Sequence, residues 1–219
     1  MRVKIPLLFK TCFRRPVPKM PQTSKTTSKT RKEIAQLAAK FVAVDGVNDY
    51  LAAKRKAAVQ LGIKPDNGLP TNLEVEQALR EYQSLFQNQD QAAQLYEMRK
   101  KALQAMRLMI SYQPRLVGPV LTGTATRHSE ITLHLVSDEP EQIGLHLDEH
   151  AIPFTTTTKS LKIGKDEKKD FPAFEFIADK TRILLIVFPE RQKHCSPLSS
   201  ITGKPMQRAT ISTVEKLLS

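Results

Sequence analysis

Apolar residues recur at helical spacing between residues 30 and 112 and predict four α-helices. Start and stop signals separate these helices along the chain. Thr71 and Glu74 have the spacing of a capping box at the start of the third helix, and Pro114 cannot continue the fourth. The first half of the chain is therefore predicted to be helical.

The pattern changes after Pro114 to short runs rich in β-forming residues, with turn residues between them. One helix is predicted among these runs, with Asp138 as its N-cap and Glu141 three residues later. We predict an α+β fold, in which a helical N-terminal segment precedes an α/β domain with a mixed sheet. The predicted strands cover residues 115–121, 130–136, 152–157, 171–177 and 182–188.

Composition divides the chain into a basic tail over residues 1–29, a helical segment over 30–112 and an α/β domain over 113–219. Residues 1–32 contain ten basic residues and no acid, and the many Pro, Ser, Thr and Lys residues favour disorder. A solvated tail, an over-long gene start with Met20 as the true start, a targeting segment and a polyanion-binding arm all remain open. Residues 1–19 thus need not belong to the mature protein.

Ten of the twelve net positive charges lie in residues 1–32, so residues 33–219 are nearly neutral and do not favour a nucleic-acid-binding face. No apolar run approaches the roughly 18 residues of a membrane helix, so we expect no membrane insertion. Cys12 and Cys195 are the two cysteines, and they give neither a disulfide framework nor zinc-finger spacing. These features favour a reducing, cytoplasmic setting.

The strand predicted over residues 130–136 carries a polar face. Its apolar residues alternate with Glu130, Thr132 and His134, and residues two apart on a strand share a face. A solvated face is the simpler interpretation. The alternative is a site in which Glu130 and His134 flank a ligand above Thr132, with His134 as a base or a ligand of a transition metal.

The segment before this strand is rich in small residues. Its glycines permit close backbone approach, and its exposed amide groups, hydroxyls and one arginine are suited to a phosphate. The residues predicted to bind phosphate are Gly118, Gly123, Thr124, Arg127 and Ser129.

The segment also resembles the DNA polymerase β-like nucleotidyltransferases, especially their minimal bacterial members. In that superfamily a Gly-Ser pair follows a strand, and Ser-Asp-hydrophobic-Asp lies on the next strand. Here Gly118-Pro119 takes the place of the Gly-Ser pair, and a small triplet begins at Gly123. Ser129 and Glu130 then begin the second motif. The resemblance covers roughly residues 94–190 and implies a nucleotidyltransferase-like fold.

The resemblance implies that carboxylates hold a divalent metal, magnesium or manganese, against a nucleoside triphosphate. Glu130 keeps one of these carboxylates, while Thr132 replaces another and Pro119 replaces the serine. The strand over residues 182–188 has no acid, so Glu175 is the nearest substitute as a second metal ligand. We expect a site with one metal or none.

A second motif, H-x-x-E-H, begins at His146 and ends at His150. It matches an inverted zinc-protease pattern, but five residues are a weak signal. Both histidines are expected on the packing face of a helix, together with Leu147, where they serve structure. Zinc-dependent hydrolysis is therefore not expected.

Two functional hypotheses follow. The first is a nucleotidyltransferase-like protein that binds a nucleoside triphosphate and transfers a nucleotidyl group to an unknown acceptor. The second is a non-catalytic protein of the same fold that acts in regulation or protein interaction, with the helical segment as the surface for a protein partner. Whether the protein is an enzyme stays open at this stage.

Overall fold

The computed structural model describes residues 28–47, 49–64, 68–86, 88–164 and 167–219. Most of the predicted basic tail lies outside these residues. The helical segment comes first and a mixed sheet follows, so the predicted α+β fold class is confirmed. The helices before the sheet are α1 (Ser28–Val44), α2 (Tyr50–Gln60), α3 (Asn72–Phe86) and α4 (Asn88–Leu108).

The first three helices share a hydrophobic cluster, to which each contributes one apolar face. The predicted capping box begins α3: the Glu74 N–H donates to Thr71 Oγ1 at 3.2 Å, and the Thr71 N–H donates to Glu74 Oε2 at 2.6 Å. Arg31 on α1 donates to the same carboxylate at 2.8 Å and is the main cause that lowers the pKa of Glu74 to about 2. This contact joins α1 to α3.

The sheet has five strands in the spatial order β1-β2-β5-β4-β3. Strands β2 and β5 are parallel, and the other neighbouring pairs are antiparallel. Short helices connect some of the strands. In chain order the elements are β1 (Arg115–Val117), α5 (Pro119–Thr122), β2 (Ile131–Val136), α6 (Glu141–Glu149), β3 (Phe154–Lys162), β4 (Lys168–Ala178), β5 (Thr181–Phe188) and α7 (Ile211–Lys216).

Both faces of the central strands are buried. On one face Ile131, Leu133 and Leu135 of β2 pack with α4 and α6, and each is fully buried. On the other face Leu184 and Phe188 belong to a smaller apolar cluster. Burial on both sides explains why β5 has a continuous apolar sequence.

Helix α4 packs with the sheet rather than with the cluster of α1 to α3. Its buried Met98, Leu103 and Met106 belong to the same hydrophobic cluster as Leu133 of β2. That cluster therefore extends across residue 112, where the texture of the sequence changes. The division of the chain into domains at this point remains a prediction.

Two local predictions are wrong. The strand predicted over residues 115–121 ends at Val117, because Gly118 has a φ of 75° and Pro119 begins the single turn of α5. Asp138 does not cap α6, whose N-cap is Pro140 without a side-chain bond. The Asp138 carboxylate instead accepts from the Glu190 N–H at 2.9 Å and thus fixes the segment after β5.

None of the described helices combines the length and the apolar content that are needed to cross a membrane.

The substitution Leu133→Ala tests the packing of the core, because Leu133 is fully buried in the central strand β2. We expect a loss of about 2–5 kcal/mol in the free energy of unfolding, measured with urea. The matched control is Leu145→Ala on α6, where the side chain is 63% exposed and a change within about 0.5 kcal/mol is expected. Equal losses in the two variants would contradict this packing.

Candidate functional site

The segment between β1 and β2 is a compact turn that bonds to itself. The N–H groups of Leu121 and Thr122 donate to Gly118 O, each at 3.1 Å, and those of Gly123 and Thr124 donate to Pro119 O at 2.9 and 3.1 Å. These four amides are therefore not exposed to a phosphate, contrary to expectation. Gly118 and Gly123 both have positive φ and serve the turn geometry.

Side chains from α3 and α4 hold this turn through its carbonyl groups. Gln83, which is buried, donates to Thr124 O at 3.3 Å and to Ala125 O at 3.4 Å. Arg99 donates to Val120 O and Leu121 O at 3.2 and 3.3 Å. Because Thr124 is only 4% exposed, it belongs to the scaffold rather than to an open binding surface.

Arg127 and Ser129, two of the predicted phosphate-binding residues, do line a cavity. Its volume is about 520 Å³, and it lies where the turn, α4 and the β4–β5 connection meet. This is the edge of the sheet at which the parallel strands β2 and β5 both begin. The cavity is lined by Gly46, Gln94, Glu97, Met98, Lys101, Arg127, His128, Ser129, Ile177, Lys180, Thr181 and Arg182.

Positive charge dominates this cavity, with four cationic side chains against the single carboxylate of Glu97. Lys101 Nζ donates to Asp179 O at 2.9 Å and to Thr181 Oγ1 at 3.1 Å, which fixes it beside the β4–β5 turn. Arg127 donates to Val44 O at 3.1 Å. The described residues that line the cavity therefore have a local excess of positive charge within a folded body whose charge is nearly balanced.

Glu130, the predicted metal ligand, directly follows Ser129 and is half-buried just before β2. Thr132 on β2 pairs with Leu184 on β5, and Leu184 pairs with Glu175 on β4, so the three lie in one row across the sheet. Leu184 is only 2% exposed, and it places an apolar group at the middle of this row.

Glu175 lies two strands away from β2 and has an ionic partner of its own. Its carboxylate Oε1 is 3.3 Å from Nε of Arg182, on the neighbouring strand β5. Strands are about 4.8 Å apart, so Thr132 and Glu175 are separated by roughly 10 Å of backbone. Glu130 lies two residues before Thr132, so this separation does not support a single metal ion held by both Glu130 and Glu175. The shared metal site remains a prediction.

His134 is buried rather than open to a ligand above Thr132. It is 2% exposed, its ring centroid is 4.6 Å from that of Phe188, and its Nδ1 has no hydrogen-bond partner among the described residues. Burial, followed by the charge of Arg208, lowers the pKa of His134 to about 3. The ring is therefore neutral near pH 7, and its burial argues against a role as a base for a bound ligand.

Sequence reasoning missed three of the cations, namely Lys101, Lys180 and Arg182. The last two flank the start of β5, and a parallel pairing of β5 with β2 would have placed them beside Ser129. Asp179 and Lys180 both have positive φ, so the tight turn there directs the chain into β5. The basic residues at the start of β5 are visible in the sequence, but the sequence does not show that β5 pairs with β2.

Comparison with known proteins found no family model that matches the chain, and no curated protein matched it either. The resemblance to nucleotidyltransferases therefore rests on the residues of the sequence that carry it. Membership of that superfamily therefore remains a prediction.

The burial of His134 predicts a specific pH dependence of stability. The unfolded pKa of histidine is about 6.5, above the folded value of about 3. The unfolded chain therefore binds more protons between these values, and stability falls as the pH is lowered through this range. From pH 6.5 to pH 5 this group alone costs about 1.6 kcal/mol, because the slope rises from about half of 1.4 kcal/mol per pH unit at pH 6.5 to nearly the full value at pH 5.

We expect His134→Leu to remove this contribution, so that its urea midpoint falls less between pH 7 and pH 5 than that of the wild type. His194→Gln is the control, because His194 is exposed and should keep the wild-type pH dependence. An unchanged pH dependence in His134→Leu would show that His134 is not buried in its neutral form.

Proposed function

We propose that this protein binds a nucleoside triphosphate, with the polyphosphate in the basic cavity at the start of β2 and β5. The observation that carries the proposal is the meeting of four cationic side chains beside Ser129, the residue that precedes Glu130 in the chain. A triphosphate carries several negative charges on adjacent groups, so it matches a cluster of Lys and Arg better than a single anion does. The volume of about 520 Å³ is within the range of small-molecule sites.

The residues fit one magnesium or manganese ion better than two. Magnesium is commonly held by one or two carboxylates, by substrate phosphates and by water, so Glu130 alone is a sufficient protein ligand. The carboxylate of Glu175 is paired with Arg182, and the side chain of Leu184 has no oxygen atom that could bind a metal ion. When bound, such an ion would neutralise phosphate charge next to Glu130.

Nucleotidyl transfer is the more specific part of this proposal. An acceptor oxygen would form a bond to the α-phosphorus while the bond to the leaving pyrophosphate breaks. This chain contributes positioning of the phosphates by Arg127 and Arg182, and metal binding by Glu130. The second hypothesis, a non-catalytic protein of this fold that acts in regulation or protein interaction, is favoured by the apolar Leu184 between Thr132 and Glu175.

Calorimetry with ATP, GTP, CTP and UTP in the presence of magnesium or manganese tests the binding. We expect Arg182→Gln to weaken the binding about tenfold, which is about 1.4 kcal/mol and close to the value of one charged hydrogen bond. Both side chains are exposed, but Lys180→Gln should weaken the binding only about two- to fivefold, because an ammonium acts as a point charge whereas the guanidinium of Arg182 can donate two hydrogen bonds to a phosphate. Both effects should shrink as the salt concentration rises.

Arg191→Gln is the matched control. Arg191 follows the far end of β5, about 25 Å from the cavity at 3.3 Å per strand residue, so binding should not change. Absence of binding by all four nucleotides at low salt would overturn the proposal. Binding that Glu130→Ala leaves unchanged would remove Glu130 from the site. Assays for pyrophosphate release then separate transfer from binding alone.

A further inference from the structure

A second cluster of ligand-bearing side chains lies at the carboxyl end of α6, far along α4 from the basic cavity. It contains His146, Glu149 and His150, whose ligand atoms all lie within 4.8 Å of one another. The spacing of four residues places both histidines on one side of the helix end. His146 is half-buried as expected, but His150 is exposed, so the prediction that both lie on the packing face is wrong for His150.

We propose that His146, Glu149 and His150 form a zinc-binding site. The hydrogen bonds of the two rings determine which nitrogen of each is available to the metal. His146 Nε2 lies 3.0 Å from Leu108 O, and His150 Nδ1 lies 2.8 Å from His146 O. A carbonyl oxygen only accepts, so these two nitrogens carry the hydrogens.

The other two nitrogens, His146 Nδ1 and His150 Nε2, therefore hold the lone pairs of the neutral rings. Metal-binding histidines typically donate their remote N–H to a carbonyl or a carboxylate in this way, which orients the ring and fixes the tautomer. Both rings thus have the outer hydrogen bond that is typical of a metal site.

The distances require only small movements of exposed groups. Ligands 2.0–2.1 Å from a tetrahedral zinc are about 3.4 Å apart. His146 Nδ1 is already 3.9 Å from Glu149 Oε2, and the Glu149 side chain is 74% exposed and free to approach. His146 is the fixed member, since Leu108 O holds one side of its ring and the ring of Tyr112 packs against it in a T-shaped arrangement, with the ring centroids 5.8 Å apart.

Two nitrogens and one carboxylate oxygen are a ligand set that zinc accepts, with water at the fourth position. The hard ions magnesium and calcium prefer oxygen ligands and are disfavoured here. Zinc would stabilise the contact between α6 and the end of α4, because His146 of α6 also bonds to the carbonyl of Leu108, the last residue of α4. The proposal concerns binding and stabilisation and includes no hydrolytic step.

The test uses the full chain, stripped of metal with a chelator and titrated with zinc by calorimetry. We expect one zinc per chain at this site, and a melting temperature that rises with zinc concentration because zinc binds the folded state. His150→Ala and Glu149→Gln change exposed residues, so both variants should fold. Each should weaken zinc binding by about tenfold or more and remove most of the thermal shift.

His194→Gln is the matched control, since His194 is exposed and outside the cluster, and it should bind zinc as the wild type does. Cobalt substitution identifies the ligands, because a thiolate ligand adds a sulfur-to-cobalt charge-transfer band that imidazole and carboxylate lack. No zinc binding, equal binding by the wild type and His150→Ala, or a thiolate band from Cys12 or Cys195 would each overturn the proposal.

Discussion

The parallel pairing of β2 with β5 is the constraint on which the rest of this structure depends. It joins strands that are distant in sequence, from Ile131 with Ile183 to Val136 with Phe188. Strand β5 is buried on both faces and contributes to two apolar clusters, one of which also contains Ile131, Leu133 and Leu135 of β2. Parallel strands begin at the same edge, so the residues before β2 necessarily lie beside those that begin β5. The basic cavity forms at that edge.

The candidate site is basic, because four of the described residues that line the cavity are cationic and one, Glu97, is acidic. Away from the cavity lining, Thr132 pairs with Leu184, and the carboxylate of Glu175 is paired with Arg182. The zinc site proposed on α6 has a different character, because two histidines and one carboxylate, with both rings oriented by backbone carbonyl groups, would bind a cation there.

Local signals in the sequence located most elements. The Thr71 capping box, the apolar alternation of β2 and the buried run of β5 each reflect interactions within a few residues, and each appears in the structure. The error at residues 118–121 has a local cause as well, because a glycine with positive φ before a proline ends the strand. Asp138 was misassigned because its partner, the Glu190 N–H, is distant in sequence.

The sequence by itself determined the order of the first four helices, of the five strands and of α6, the α+β class and the polar residues around Ser129, since these depend on periodicity and turn chemistry, but it did not predict the short helices α5 and α7. Only the tertiary structure decided which side chains meet. It brought Lys101, Lys180 and Arg182 to Arg127, and it buried His134 against Phe188 although alternation placed it beside Thr132. The physical reason is that burial and charge clustering depend on what packs over each face, which strand periodicity does not encode.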